Sequence, residues 1–272
     1  EKTAPYHFIL VGKSFAQAGH CTGFFSKPVG IFKYIQRISN EATPRAYSEE
    51  NLEEITEEHR LFYSIVNANE SDYPNHLDIP RPSSIHWRNG KAPADVDATK
   101  RSVLMSYMGK LNHGDVAVRR ILKKLCTVYP DDVLLCLENF APEKITTKLY
   151  SKYCLEPTGD SPARKSITDS LSFGCIPIFI GQLQKHIFSH LEWAESSVTI
   201  NRTTYIETQG RSLIEEIQNT RDSEYAAKYE NLRSYVMPRI QLSLDDCNED
   251  VLILTLKQLM RNARDIEVPL GV

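Results

Sequence analysis

From residue 102 onward one pattern repeats: a short apolar run, a break marked by Gly or Pro, then apolar residues at helical spacing. Residues 102–108, 133–137, 153–155, 175–180 and 197–200 read as strands, each too short and too apolar for an amphipathic helix. Between them, Asp115 can cap a helix whose Val118, Ile121, Leu122 and Leu125 share one face. Pro142 can open a second helix reaching Tyr150, and a third spans 162–173. Helices over 210–220, 222–242 and 249–264 close the chain. Strands alternating with helices demand βαβ units and a parallel sheet. With right-handed crossovers this becomes a doubly wound α/β domain, whose ligand belongs at the C-terminal ends of its strands.

The first part of the chain is less regular. Residues 6–11 and 61–66 read as strands, 17–30 as a loop rich in Gly, Thr and Ser, and the acidic stretch 48–59 as a solvated helix face. Residues 74–98 hold four prolines among Asn, Gly and Asp, a linker signal. The division expected is therefore 1–98, the remainder of an N-terminal domain with its linker, and 99–272, a C-terminal domain with closing helices. A length of 272 residues suits one large or two modest domains.

Composition removes several functions. Lys and Arg number 32 against 35 Asp and Glu, a net charge of −3, which is not the basic excess of a general nucleic-acid binder. The longest apolar runs, 8–11 and 175–180, fall far short of the ~20 residues that span a bilayer. No signal-peptide pattern opens the sequence, which begins with Glu1. The six cysteines, at 21, 126, 136, 154, 175 and 247, show no metal-type spacing. Their even number allows three disulfides in many connectivities, and buried free thiols are an equal reading. Two sequons, Asn69-Glu70-Ser71 and Asn201-Arg202-Thr203, suit a secretory lumen, although such triplets also arise by chance.

Local motifs mostly fail on inspection. Gly12-Lys13-Ser14 follows a strand, but a phosphate-binding P-loop needs Gly where His7 stands. His186 and His190 have a helical ligand spacing without a third ligand, and His113 with Asp115 forms no metal spacing, so no metal is expected. The informative stretch is 153–179. It reads strand, Gly loop, helix, Gly, strand. Arg164 and Lys165 lie in the first turn of its helix, where cations oppose the helix dipole. Their position makes sense if an anion binds there. Asp169, a little over one turn on, could accept bonds from ribose hydroxyls. The plain alternative is an amphipathic helix with solvated charges.

That stretch closely resembles the signature of the exostosin-like glycosyltransferases (glycosyltransferase family 47). The matching residues are Tyr153-Cys154-Leu155, Pro157, Gly159-Asp160-Ser161, Arg164-Lys165, Asp169-Ser170-Leu171 and Gly174-Cys175-Ile176-Pro177. Further blocks resemble the family in the same order: Arg101 to Gly109, Arg119-Arg120-Ile121-Leu122, Ile187 to Trp193 with Ser197-Val198, and upstream His7 to Gly12 and Asp78 to Pro82. Departures are Arg81 in place of an aromatic residue, Glu192 in place of Asp before Trp193, and Ile178 in place of Val.

The resemblance implies a GT-B fold: two Rossmann-like domains facing across a cleft, the N-terminal one partial here. It implies an inverting glycosyltransferase that moves a sugar from a UDP-sugar donor to a polysaccharide or glycan acceptor, with no cofactor beyond that donor. The donor-binding residues expected are Gly109, Lys110, Gly159, Arg164, Ser166 and Asp169. Gly174 would serve helix–strand packing, and Glu156 flanks the Gly loop. The catalytic base stays unassigned, with His7, His20 and Asp78 as candidates. The family further implies Golgi-lumen residence as a type II membrane protein, anchored by a segment outside these 272 residues, with homo- or hetero-oligomers left open. Two rivals stand beside this reading: an inactive scaffold of the same fold, and a transferase using a GDP-sugar.

Overall fold

The computed structural model describes residues 8–11, 36–39, 76–78, 83, 85, 98–112, 114–138, 142–159, 163–182, 184, 194–240 and 251–265. Two parallel sheets organise them. The first joins β1 (Phe8–Val11), β2 (Gln36–Ser39) and β3 (His76–Asp78), with Phe8 opposite Gln36 and Arg37 opposite His76. The second contains β4 (Val103–Met108), β5 (Leu134–Leu137), β6 (Ser151–Leu155), β7 (Ile176–Ile180) and β8 (Val198–Ile200). Its order is β5-β4-β6-β7-β8, every pair parallel. The fold is α/β and doubly wound, as the alternating pattern requires.

Burial explains the order. All five residues of β7 are buried, the continuous apolar run of a strand covered on both faces. Helix α1 (Val116–Val128) lays Val118, Ile121, Leu122 and Leu125 into the core. Asp115 caps it, its carboxylate accepting the Val118 N–H at 3.2 Å. α2 (Thr147–Tyr150) follows a 3-10 segment, Pro142–Thr146, and α3 (Lys165–Ser172) buries Ile167 and Leu171. α4 (Arg202–Glu207), α5 (Arg211–Asn219), α6 (Asp222–Asn231), α7 (Met237–Ile240) and α8 (Val251–Asp265) complete the chain.

Two disulfides tie this unit together. Cys126 on α1 joins Cys136 on β5, and Cys154 on β6 joins Cys175 at the entry to β7. Four of the six cysteines are thus paired rather than free thiols. Cys21 and Cys247 lie outside the described residues.

Several expectations need revision. β3 occupies residues 76–78, inside the stretch read as linker, because the proline signal masks a three-residue strand. β2 and α4 carry no periodicity long enough to be seen. α4 exists because the Asn201 side chain accepts the Thr204 N–H at 2.9 Å and caps it. The single helix expected over 222–242 is interrupted by a π turn, Leu232–Val236, before α7. Pro238, with no N–H to give, lies just beyond that widened turn. The expected elements at 17–30, 48–59 and 61–66 lie outside the described residues.

Candidate functional site

In the five-stranded sheet the chain leaves β4 toward β5 on one side, then returns past β4 to β6 on the other. The connections at the C-terminal ends of β4 and β6 therefore leave in opposite directions, the switch point where a doubly wound sheet places its ligand crevice. The loop after β4 carries Gly109, Lys110 and Gly114. The loop after β6 carries Glu156, Pro157, Thr158 and Gly159. These loops touch: a Cβ on Gly114 (φ 75°) would lie 2.7 Å from the Thr158 carbonyl oxygen and 2.9 Å from Gly159 Cα, so only glycine fits there.

Arg119, on the buried face of α1, locks the two loops. Its Nη1 donates to the Tyr107 hydroxyl at 2.6 Å and, very closely, to the Lys110 carbonyl. Its Nη2 donates to the Thr158 carbonyl at 2.9 Å. Tyr107 in turn donates to the Lys110 carbonyl at 2.7 Å. Arg119 is 2% exposed, and burial followed by the neighbouring Arg164 charge pushes its pKa down. Burial also pushes the Tyr107 phenol up, against the opposing pull of Arg119 and Arg164.

Arg164 stands at the N-cap of α3 without capping the helix through its side chain. Its Nη1 donates to the Pro157 carbonyl at 2.8 Å and lies 4.0 Å from Glu156 Oε2. A Cβ on Gly109 would approach its Nη2 to 3.5 Å. Gly109, Gly159, Arg164 and the exposed Lys110 thus gather at one crevice, with Arg119 beneath. Among the described residues, no carboxylate hydrogen-bonds to either guanidinium. Among the described residues Arg119 donates only to neutral oxygens, and Arg164 is met by one carboxylate, Glu156, at 4.0 Å, so the site keeps an excess of positive charge suited to an anion.

Below Arg164 lies a buried ionic cluster. Glu156 Oε1 accepts from Lys148 Nζ at 2.8 Å, from Ser166 Oγ at 2.8 Å and from Ser170 Oγ at 2.7 Å. Lys148 Nζ also reaches the Ser166 carbonyl and both serine hydroxyls. Glu156 is 1% exposed, and its Oε2 has no hydrogen-bond partner among the described residues. Burial pushes its pKa up, but Lys148 and Arg164 outweigh this and hold the carboxyl below its usual range.

Ser166 therefore spends its hydroxyl inside this cluster rather than facing the open crevice. Asp169 is 3% exposed and accepts from Lys165 Nζ at 2.7 and 2.9 Å and from Ser83 Oγ at 2.5 Å. Both residues support α3 from its buried side, while the other four expected donor residues border the crevice.

Arg119 and Lys148 were not among the expected site residues. Arg119 left a signal: a charged residue among the apolar positions Val118, Ile121 and Leu122 of an amphipathic helix. Lys148 left none, because α2 has only four residues and no usable periodicity. His7, His20, His113, His186 and His190 lie outside the described residues. Asp78 ends β3, with nothing described of its side chain.

In a doubly wound parallel sheet the ligand site belongs at this switch point. The Exostosin GT47 domain matches residues 41–216, and the chain belongs to that family. Xyloglucan-specific galacturonosyltransferase 1 of Arabidopsis thaliana is 28% identical over 182 residues, covering 60% of this chain and 26% of the relative. Probable xyloglucan galactosyltransferase GT15 of the same plant is 30% identical over 168 residues, covering 53% and 33%. The chain thus spans roughly a quarter to a third of the length of these relatives. The crystal structure of the pneumococcal O-GlcNAc transferase GtfA, in complex with UDP and GlcNAc, aligns with a TM-score of 0.41 and 9% identity, over 85% of this chain and 53% of that one.

Proposed function

We propose that this chain supplies the donor-binding part of an inverting glycosyltransferase, one that moves a sugar from a UDP-sugar to a polysaccharide acceptor. The observation that carries the reading is the pair Arg119 and Arg164 at the β4–β6 switch point, of which, among the described residues, only Arg164 is ion-paired, at 4.0 Å with Glu156. Family membership supports sugar transfer, and relatives named for xyloglucan support a polysaccharide acceptor.

In such a step an acceptor hydroxyl attacks the anomeric carbon while the nucleoside diphosphate leaves from the opposite side. A base takes the hydroxyl proton. Negative charge grows on the diphosphate as the C–O bond breaks. Arg164, at the N-terminus of α3, and the exposed Lys110 would meet that charge. Losing one such contact raises the barrier by ~2–4 kcal/mol. Arg119 would hold both loops at the right separation. The two disulfides fit an oxidising lumen, and we place the protein in the Golgi lumen.

Calorimetric titration of UDP tests the reading. The folded chain is expected to bind UDP, and Arg164→Ala to bind it about 10- to 100-fold more weakly, the loss of a charge-assisted contact. A folded chain that binds GDP but not UDP transfers the assignment to a GDP-sugar. A folded chain that binds neither supports a scaffold.

A further inference from the structure

We infer that Asn201 is an N-glycosylation site of this protein. The inference rests on the lumenal placement just proposed and on features of its own. Of the two sequons, Asn201-Arg202-Thr203 falls within the described residues. Asn201 directly follows β8 and caps α4. Its Oδ1 accepts from the Thr204 backbone N–H at 2.9 Å and the Thr204 hydroxyl at 3.1 Å. Its amide nitrogen donates to no other described residue.

The middle residue turns the other way. Arg202 Nε donates to Asp115 Oδ2 at 2.7 Å and its Nη2 to Oδ1 at 3.2 Å, so its guanidinium points into the molecule. Asn201 and Thr203 are exposed while Arg202 is half-buried. The two residues whose chemistry the sequon requires thus face solvent, and the spacer is anchored. β8 is the edge strand of its sheet, separated from β6 by β7.

Modification and folding are compatible at this position. In the transfer, the Asn201 amide nitrogen attacks the anomeric carbon of a lipid-linked oligosaccharide pyrophosphate. A C–N bond forms, the C–O bond to pyrophosphate breaks, and the nitrogen loses one proton. The Oδ1 that caps α4 takes no part, so the glycosylated residue remains a cap. The disulfides, which also need an oxidising compartment, are the basis of the lumenal placement that exposes Asn201 to that machinery.

The test is expression of the full chain through the secretory pathway of a eukaryotic cell, with secreted and cell-retained pools analysed together. Peptide-N-glycosidase treatment in heavy-oxygen water marks each formerly glycosylated Asn as labelled Asp in mass spectra. The expected result is label at Asn201, lost in Thr203→Ala while the melting temperature stays within error of the deglycosylated parent. Asn201→Asp should likewise lose the label and keep the cap. Unlabelled Asn201 peptide in both pools, from chains with both disulfides formed, overturns the inference, and label at Asn69 alone does the same.

Discussion

Glu156 and Lys148 form an ion pair with side chains 1% and 4% exposed. A pair buried so deeply is costly to break from one side, because the remaining charge keeps its desolvation penalty without its partner. Glu156→Gln should therefore lose roughly 3–5 kcal/mol of stability in urea titrations. The double change Lys148→Met with Glu156→Leu should lose less than either single change, since no buried charge remains. The pH dependence has a definite sign. The Glu156 carboxyl titrates below its ordinary range in the folded chain and near ~4.3 in the unfolded one. Its contribution is complete above that value and disappears as the pH falls toward the folded pKa, where the unfolded state binds more protons. Glu156→Gln should flatten this acid limb of the stability curve. Gly174 is a second residue under strict constraint. Its φ is 68°, and an added Cβ would lie 2.9 Å from Arg101 Nη2. That guanidinium is buried and bound to the carbonyls of Lys148, Ser151 and Phe173. Gly174→Ala should cost about 2 kcal/mol, from backbone strain and displacement of Arg101, measurable by thermal melting.

At the level of elements, Asp115 does two jobs at once. It caps α1 through Val118 and receives the Arg202 guanidinium from α4, so the two helix starts are joined. Asp115→Asn should keep the cap and lose the charge attraction. Asp115→Ala should lose both and be destabilised by a further ~1 kcal/mol, read as a shift in urea midpoint. The cap was legible in the sequence because Asp precedes an apolar series of helical period. So were all five strands of the second sheet, each a run of apolar residues bounded by breaks. Arg202 as the partner was not, since the contact joins residues 87 apart. The same limit hid the Lys148 cluster, assembled from α2, the loop after β6 and α3. Gly159 and Arg164 could be read because one continuous segment carries them. The direction in which Ser166 and Asp169 face could not, because two apolar partners of similar spacing define a helix face only loosely in eight residues.

At the level of the whole domain, the switch point works only if two loops from different strands keep a fixed separation. Strand order opens the crevice, but it does not fix the distance between Lys110 and Thr158. Arg119 does, with one guanidinium donating to carbonyls on both loops. If Arg164 meets an anion across that gap, Arg119 and Arg164 must act on binding jointly rather than independently. A double-mutant cycle separates these cases. Arg119→Lys keeps a positive charge but cannot fork to both loops. It should weaken UDP binding on its own by about 10-fold, the loss of one or two hydrogen bonds. In an Arg164→Ala background the same change should matter much less, giving a coupling energy above ~0.5 kcal/mol. Additive losses would instead mean that Arg119 stabilises the domain or attracts the anion by charge alone, with no part in setting the loop separation that Arg164 needs.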